Sequence, residues 1–272
     1  MITFLLWNIA KRPITKTISN IAEIHNVDII LLLESELQPA TLLIELNPLG
    51  QSSYEYSVSP LNACKKVQIF SKIPSRYFVP IQEDERATAR LIKLSKIEIL
   101  LIVSHGISKK NYDDESQSWE VGNLSRFISS IENRVGHKKT ILAGDLNMHP
   151  FENGVVSAGG LHAVMSRDVA RKKSRFVQKH EYPYFYNPMW SLYSNGATNP
   201  PATFYYPSSN NKAYYWHMFD QVLVRPELLD YFKDDELRII TNDGTTSLID
   251  KNGIPNKIKF SDHLPVIFKL DL

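Results

Sequence analysis

The sequence predicts an α/β protein with buried strands and with its chemistry placed at strand ends. Three observations carry that expectation. Short, nearly all-apolar runs recur at residues 2–7, 28–33, 97–103 and 141–143, with the length and composition of strands covered on both faces. Segments of helical period separate some of them. Polar side chains follow each run: Asn8, Glu34, His105 after Ser104, and, past Gly144, Asp145 with Asn147 and His149.

In chain order, residues 2–7 read as the first strand, ended by Asn8. A carboxamide behind a buried strand needs partners, since leaving it unsatisfied costs on the order of 1–3 kcal/mol. A turn Asn would also end a strand there. Pro13 suits a first helical turn. Ile14, Ile18, Ile21 and Ile24 recur at helical spacing, so 14–26 is predicted as an amphipathic helix. The second strand, 28–33, runs into Glu34, which is either a solvated strand end or a hard oxygen ligand suited to Mg²⁺. Strand, helix, strand implies a right-handed crossover and parallel strands. Asn8 and Glu34 then leave the same edge of one sheet.

A short helix is predicted at 39–46 and strands at 54–59, 67–71, 77–82 and 88–95, with Lys65 and Lys66 as solvated loop charge. Arg90 alternates with apolar neighbours and reads as a rim arginine or as a guanidinium for a phosphate. Residues 108–116 are polar and acidic, a loop. Residues 119–135 carry Val121, Leu124, Phe127, Ile128 and Ile131 on one face, an amphipathic helix. It leads to the strand before Asp145. Gly, Asp and Asn are also ordinary turn residues, so that stretch alone is equally a turn.

Residues 150–218 read as an irregular insertion. Arg167, Arg171, Lys172, Lys173, Arg175 and Lys179 cluster there, followed by an aromatic-rich segment from Tyr182 to Trp216. It is either a loop cap beside a solvated basic helix or a substrate platform, since cations neutralise phosphates and aromatics stack bases. Residues 219–224 form a strand with Asp220 near its start, and 225–231 a short helix. Further strands are expected at 237–240 and 245–249, around the turn signal Asn242-Asp243-Gly244. Ser261-Asp262-His263 precedes the last strand, 264–270.

One domain over 1–272 is expected, because no Gly/Ser-rich linker, low-complexity tract or internal repeat interrupts the chain. A composition of 43% hydrophobic and 22% charged residues supports a sizeable core. The net charge of +2 does not by itself argue for nucleic acid. One cysteine, Cys64, excludes an intramolecular disulfide framework and a cysteine-rich zinc site. No apolar run approaches the ~20 residues that span a bilayer, and the N-terminus reads as a strand rather than a signal peptide. A cytoplasmic protein is the expectation.

Asn8, Glu34, His105, Asp145 with Asn147, Asp220, and Asp262 with His263 recur in an order and spacing that resemble the endonuclease/exonuclease/phosphatase superfamily. Its members include DNase I, exonuclease III-type repair nucleases, neutral sphingomyelinases and inositol polyphosphate 5-phosphatases. The resemblance runs from Trp7-Asn8 to Ser261-Asp262-His263. It implies a DNase I-like four-layered α/β sandwich, two mixed β-sheets face to face with helices outside. It implies a Mg²⁺ cofactor, or Mn²⁺ in its place, with Glu34 as main ligand and Asn8 and Asp262 nearby. His263 matches the imidazole that contacts the scissile phosphate or activates water, and Asp220 the carboxylate that orients it. Asp145 and Asn147 match the pair that positions the nucleophile and a phosphate oxygen, and His105 the second histidine, on the leaving-group side. Arg90 is a weaker match. Ile9-Ala10 stands where many repair endonucleases carry an acid, and Ser104-His105 replaces their Tyr-bearing loop. Both departures favour the two-histidine branch. The resulting expectation is a metal-dependent phosphodiesterase, foremost a nuclease, with Arg171, Lys172, Lys173 and Arg175 on the nucleic acid. A lipid or inositol phosphoesterase and a silent binding module are the alternatives.

Overall fold

A computed structural model describes residues 1–48, 53–59, 63–193, 200–207 and 213–272. Of the predicted 150–218 insertion, 194–199 and 208–212 lie outside the described residues. Among the described residues one sheet has six strands, in the order Arg238–Ile239 (β16), Val266–Leu270 (β17), Ile2–Asn8 (β1), Ile29–Leu33 (β2), Val67–Ser71 (β4) and Glu55–Tyr56 (β3). The second has seven: Phe78–Glu83 (β5), Ala87–Lys93 (β6), Glu98–His105 (β7), Thr140–Asp145 (β8), Asp220–Val224 (β15), Phe185–Tyr186 (β12) and Ala163–Val164 (β9). Two ribbons pair Ser174–Val177 (β10) with His180–Pro183 (β11), and Phe204–Tyr205 (β13) with Trp216–His217 (β14).

The alternation of side chains along each strand builds four layers. Phe4, Leu6, Leu31 and Phe268 of the first sheet meet Leu101, Val103, Ala143 and Val222 of the second in a common core. On the other face of the first sheet, Leu5, Trp7 and Leu32 pack under Thr15–Ile24 (α1) and Pro39–Leu46 (α2). Leu100, Ile102 and Leu142 of the second sheet pack under Asp114–Val135 (α3) through Ile128 and Ile131. These apolar faces explain why the runs at 2–7, 29–33, 99–103 and 141–143 lack a polar side.

The register brings the polar strand ends to one rim. β1 and β2 run parallel with Asn8 opposite Leu33. β7 and β8 run parallel with His105 opposite Asp145. β15 runs antiparallel to β8 and starts with Asp220 opposite Asp145. β17 runs antiparallel to β1 with Val266 opposite Leu6, so the chain before Val266 arrives at the Asn8 end. Gly144 permits the close pairing beside Ser104: a Cβ there would lie 1.9 Å from the Ser104 carbonyl oxygen.

Four expectations change. The acidic stretch expected as loop starts α3 at Asp114, because Asp113 caps it through the Ser116 amide at 2.8 Å and Asp114 and Glu115 complement the positive end of the helix dipole. No strand forms over 245–249: Asp243 Oδ1 accepts from the amides of Thr245 and Thr246 at 2.9 and 2.6 Å and folds the chain into a turn. The helix expected over 225–231 is a 3-10 turn, Pro226–Leu228. Residues 150–218 are not wholly irregular, since β9 and β12 extend the second sheet.

Candidate active site

Asp145 sits at the centre of the rim. Asn8 Nδ2 donates to its Oδ2 at 2.9 Å, and the Asn147 amide donates to its Oδ1 at 2.8 Å. The same Oδ2 lies 3.8 Å from His105 Nε2 and 3.9 Å from His263 Nε2. Two imidazoles, one ending β7 and one preceding β17, therefore converge on one carboxylate oxygen. Asn8 Oδ1 accepts from the Ala10 amide at 3.0 Å, which uses one of its two lone pairs.

Glu34 enters from the end of β2. Its backbone has φ +47°, left-handed for a non-glycine residue, a conformation that persists where the surroundings over-determine it. Here the Glu34 amide donates to the Lys66 carbonyl at 3.0 Å and its own carbonyl accepts from the Lys11 amide at 2.8 Å. His105 Nε2 donates to Glu34 Oε1 at 3.0 Å. That hydrogen bond, then the charge of His105 and a bond from Asn8, hold the carboxyl down at about 2 against the effect of burial. His105 Nδ1 is buried with no hydrogen-bond partner among the described residues.

His263 and Asp220 form the second unit. Nδ1 of His263 donates to Asp220 Oδ2 at 2.7 Å. Burial alone would lower the imidazole, but Asp220, then Asp145 and Asp262, hold it up at about 10. Burial pushes Asp220 up in turn, opposed by the imidazolium it faces. The pair is a buried carboxylate–imidazolium couple in which Nε2 carries a proton toward Asp145. Trp7 Nε1 donates to the His263 carbonyl at 2.9 Å, and Ser261 Oγ donates to the Asn8 carbonyl at 2.6 Å while accepting from the His263 amide at 3.0 Å. Asp262 lies between these anchored neighbours, half-buried.

An aromatic wall flanks His263. Phe204 lies over the imidazole with ring centroids 4.6 Å apart, and Phe219, His217 and His149 continue from it. His217 Nδ1 and His149 Nε2 are 3.0 Å apart. Burial keeps His149 down at about 3 and His217 at about 4. The aromatic-rich segment thus supplies packing beside the site through Phe204, Tyr193 and Tyr214.

The structure brings Asn8, Glu34, His105, Asp145, Asn147, Asp220 and His263 together, and it corrects the expected cationic contacts. Arg90 is 2% exposed. Its guanidinium is occupied by Glu83 Oε1 at 3.0 Å, Ser57 Oγ at 3.0 Å and the Thr88 hydroxyl, so it faces no phosphate. Arg171 pairs with Asp230 at 2.9 Å, beyond the Val224 end of β15, whereas Asp220 starts that strand. Four residues of strand separate the two ends by roughly 13 Å. Arg175 Nε donates to His162 Nε2 at 2.8 Å on the β9–β12 side, and Lys172 and Lys173 lie between these two. None of the four joins the polar cluster.

Sequence reading missed Gln117, Thr203 and His217. Gln117 Nε2 donates to the carbonyls of Asn147 at 2.9 Å and Ile107 at 3.0 Å, tying α3 to the loop after β8. A polar residue one helical repeat before Val121 on the apolar face was its signal. Thr203 Oγ1 accepts from the Asp220 amide at 3.4 Å, with no sequence signal.

The donor set can hold a hard cation. Glu34 stays ionised and is half-buried rather than sealed, and Asp262 adds a second carboxylate. Asp145, Asp220 and His263 also present ligand atoms within 4.8 Å of one another. The 2.7 Å bond from His263 Nδ1 to Asp220 Oδ2 holds that imidazole protonated, and an imidazolium is a poor ligand, so the Glu34 side is the better fit.

No protein-family model and no curated protein matches this chain. Solved structures do. A truncated TDP2 from Caenorhabditis elegans is 14% identical over 100% of this chain and 98% of its own, with TM-score 0.58. The 3′ phosphatase NExo from Neisseria is 15% identical over 100% of both chains, with TM-score 0.57. An AP endonuclease from Archaeoglobus fulgidus is 15% identical over 100% of both, with TM-score 0.56. The chain therefore has the DNase I-like fold that these structures share.

Proposed function

We propose that the protein is a divalent-metal-dependent phosphodiesterase that hydrolyses DNA or RNA to 5′-phosphate products. The observation that carries this reading is the convergence of His105 Nε2 and His263 Nε2 on Asp145 Oδ2, at 3.8 and 3.9 Å, beside the ionised Glu34. A phosphoryl group needs charge neutralisation on its oxygens, an in-line water and help for the departing oxygen. His263, kept protonated by Asp220, donates from Nε2 to a phosphoryl oxygen. Asp145, fixed by Asn8 and the Asn147 amide, accepts a proton from the attacking water. His105 donates on the leaving-group side. The bond to the 3′ oxygen breaks, leaving a 3′-hydroxyl and a 5′-phosphate. A Mg²⁺ or Mn²⁺ ion held by Glu34 with Asp262 and Asn8 would supply Lewis acidity. Nucleic acid is favoured because the Neisseria structure is bound to a product DNA hairpin and a Danio rerio TDP2 structure holds a single-strand DNA product.

The test is turnover of DNA, RNA and phospholipid substrates with Mg²⁺, with Mn²⁺ and after chelation. Nucleic acid is cut only with metal, and Glu34→Gln or His263→Ala abolishes cutting. Undiminished activity in chelator refutes the mechanism, and cleavage of lipid alone refutes the substrate.

A further inference from the structure

The cations expected to carry nucleic acid lie away from the site, yet a different set lies against it. Lys11 and Arg12 stand three and four residues past Asn8, and Lys66 is bonded through its carbonyl to the Glu34 amide at 3.0 Å. Lys65 precedes it. Arg12 Nη2 donates to the Lys257 carbonyl at 2.7 Å, which brings the 257–259 loop, with Lys257 and Lys259, alongside the start of the chain. That loop leads within three residues into Asp262. All six side chains are exposed. Among the described residues Glu36 neutralises Lys11 at 2.6 Å, while Lys65, Lys66, Lys257 and Lys259 have no ion pair, and no position outside the described set is acidic. Net of Glu36 these six side chains carry five positive charges, beside the carboxylates of Glu34 and Asp262, in a chain whose total is +2.

Past His105, the first turn of α3 carries Asp113, Asp114 and Glu115, with Asp114 paired to Lys109 at 3.1 Å. A polyanion is attracted to the flank whose cations have no ion pair among the described residues. We infer that the arc Lys11, Arg12, Lys65, Lys66, Lys257 and Lys259 is the track for the phosphates of a polynucleotide strand, on the Glu34 side of the scissile bond. This rests on the proposed phosphodiesterase reading and is an alternative to the basic 171–175 segment as the carrier of substrate.

Each cation that neutralises a phosphate lowers the slope of log affinity against log salt by roughly 0.7 for single strands and 0.9 for duplex. The experiment is fluorescence anisotropy with labelled single-stranded and duplex oligonucleotides in chelator, between about 50 and 200 mM salt. It compares the parent protein, the quadruple variant Lys65→Ser, Lys66→Ser, Lys257→Ser, Lys259→Ser, the single charge reversal Lys66→Glu, and Lys172→Ser with Lys173→Ser. Circular dichroism checks folding. The quadruple variant is expected to lose about three from the magnitude of the slope, Lys66→Glu to weaken binding, and the Lys172/Lys173 variant to bind like the parent. The inference is overturned if the quadruple variant keeps the parental slope, if the loss falls on the Lys172/Lys173 variant, or if the parent binds neither oligonucleotide. Turnover of a small chromogenic phosphodiester by the parent separates the two claims. Turnover without oligonucleotide binding sinks the track and leaves the chemistry. Binding through the arc without any turnover does the reverse.

Discussion

Asp220→Asn isolates the buried carboxylate–imidazolium pair. The substitution keeps the size of the side chain and removes its charge. Asp220 is the first of the groups that raise His263 to about 10, against a burial effect that lowers it. Without that charge the imidazole falls toward or below its ordinary value of 6.5. The interval corresponds to about 5 kcal/mol of preference for the protonated ring. At about pH 8 the protonated fraction then drops to roughly 3% or less. If His263 acts as a donor, kcat/KM falls at least about 30-fold at that pH, and the deficit shrinks as the pH is lowered toward 6. A folded pKa above the unfolded one gives stability that is complete below about 6.5 and lost as pH rises through about 10. The melting temperatures of parent and variant therefore differ most at and below about pH 6.5 and approach each other as pH rises through about 10. Steady-state kinetics across pH, with an NMR titration of the His263 ring, reads both effects. A deficit of constant size at every pH, with an unmoved ring titration, would refute the protonated-donor role.

Three further outcomes follow from the geometry. Arg90→Ala leaves Glu83 ionised and buried, and breaking such a pair costs about 3–5 kcal/mol. The expected result is a lower denaturation midpoint with unchanged kcat per folded molecule, and a selective rise in KM would restore Arg90 to the substrate. Gly144→Ala forces β7 and β8 apart at Ser104, so both the melting temperature and activity should fall. A variant as stable as the parent would contradict the close pairing. His149 and His217 are held below 6.5 by burial. The unfolded chain binds more protons than the fold between about 6.5 and those lowered values, so stability falls as pH drops through that window, by at most about 1.4 kcal/mol per pH unit for each ring. Their replacement by Asn or Gln should flatten that acid limb in a chemical denaturation series.

The strand ends were legible because burial on both faces leaves the sequence no reason for polarity until the strand stops. Asn8, Glu34, His105 and Asp145 stood out on that ground, and the parallel pairing of β1 with β2 and β7 with β8 put them on one rim as expected. Asp220 and His263 needed the resemblance as well, since a carboxylate starting a strand and an imidazole before one are locally ordinary. The basic run at 167–179 stayed open between a solvated face and a substrate platform, because a run of cations in sequence does not show where its acids lie: Asp230 and Asp234 come from about sixty residues away to meet Arg171 and Arg167. The arc around Glu34 was invisible for the converse reason, because it gathers pairs of cations from three distant loops. Arg90 shows the same limit: alternation located its face but could not show that Glu83 shares it.

Cleavage of an oligonucleotide in ¹⁸O-labelled water, read by mass spectrometry of the fragments, tests most directly whether this rim delivers water to phosphorus. Water attack on phosphorus with departure of the 3′ oxygen places the label in the 5′-phosphate and none in the 3′-hydroxyl. Label in the 3′-hydroxyl, or fragments ending in 3′-phosphate, would contradict the roles given to His105, Asp145 and His263.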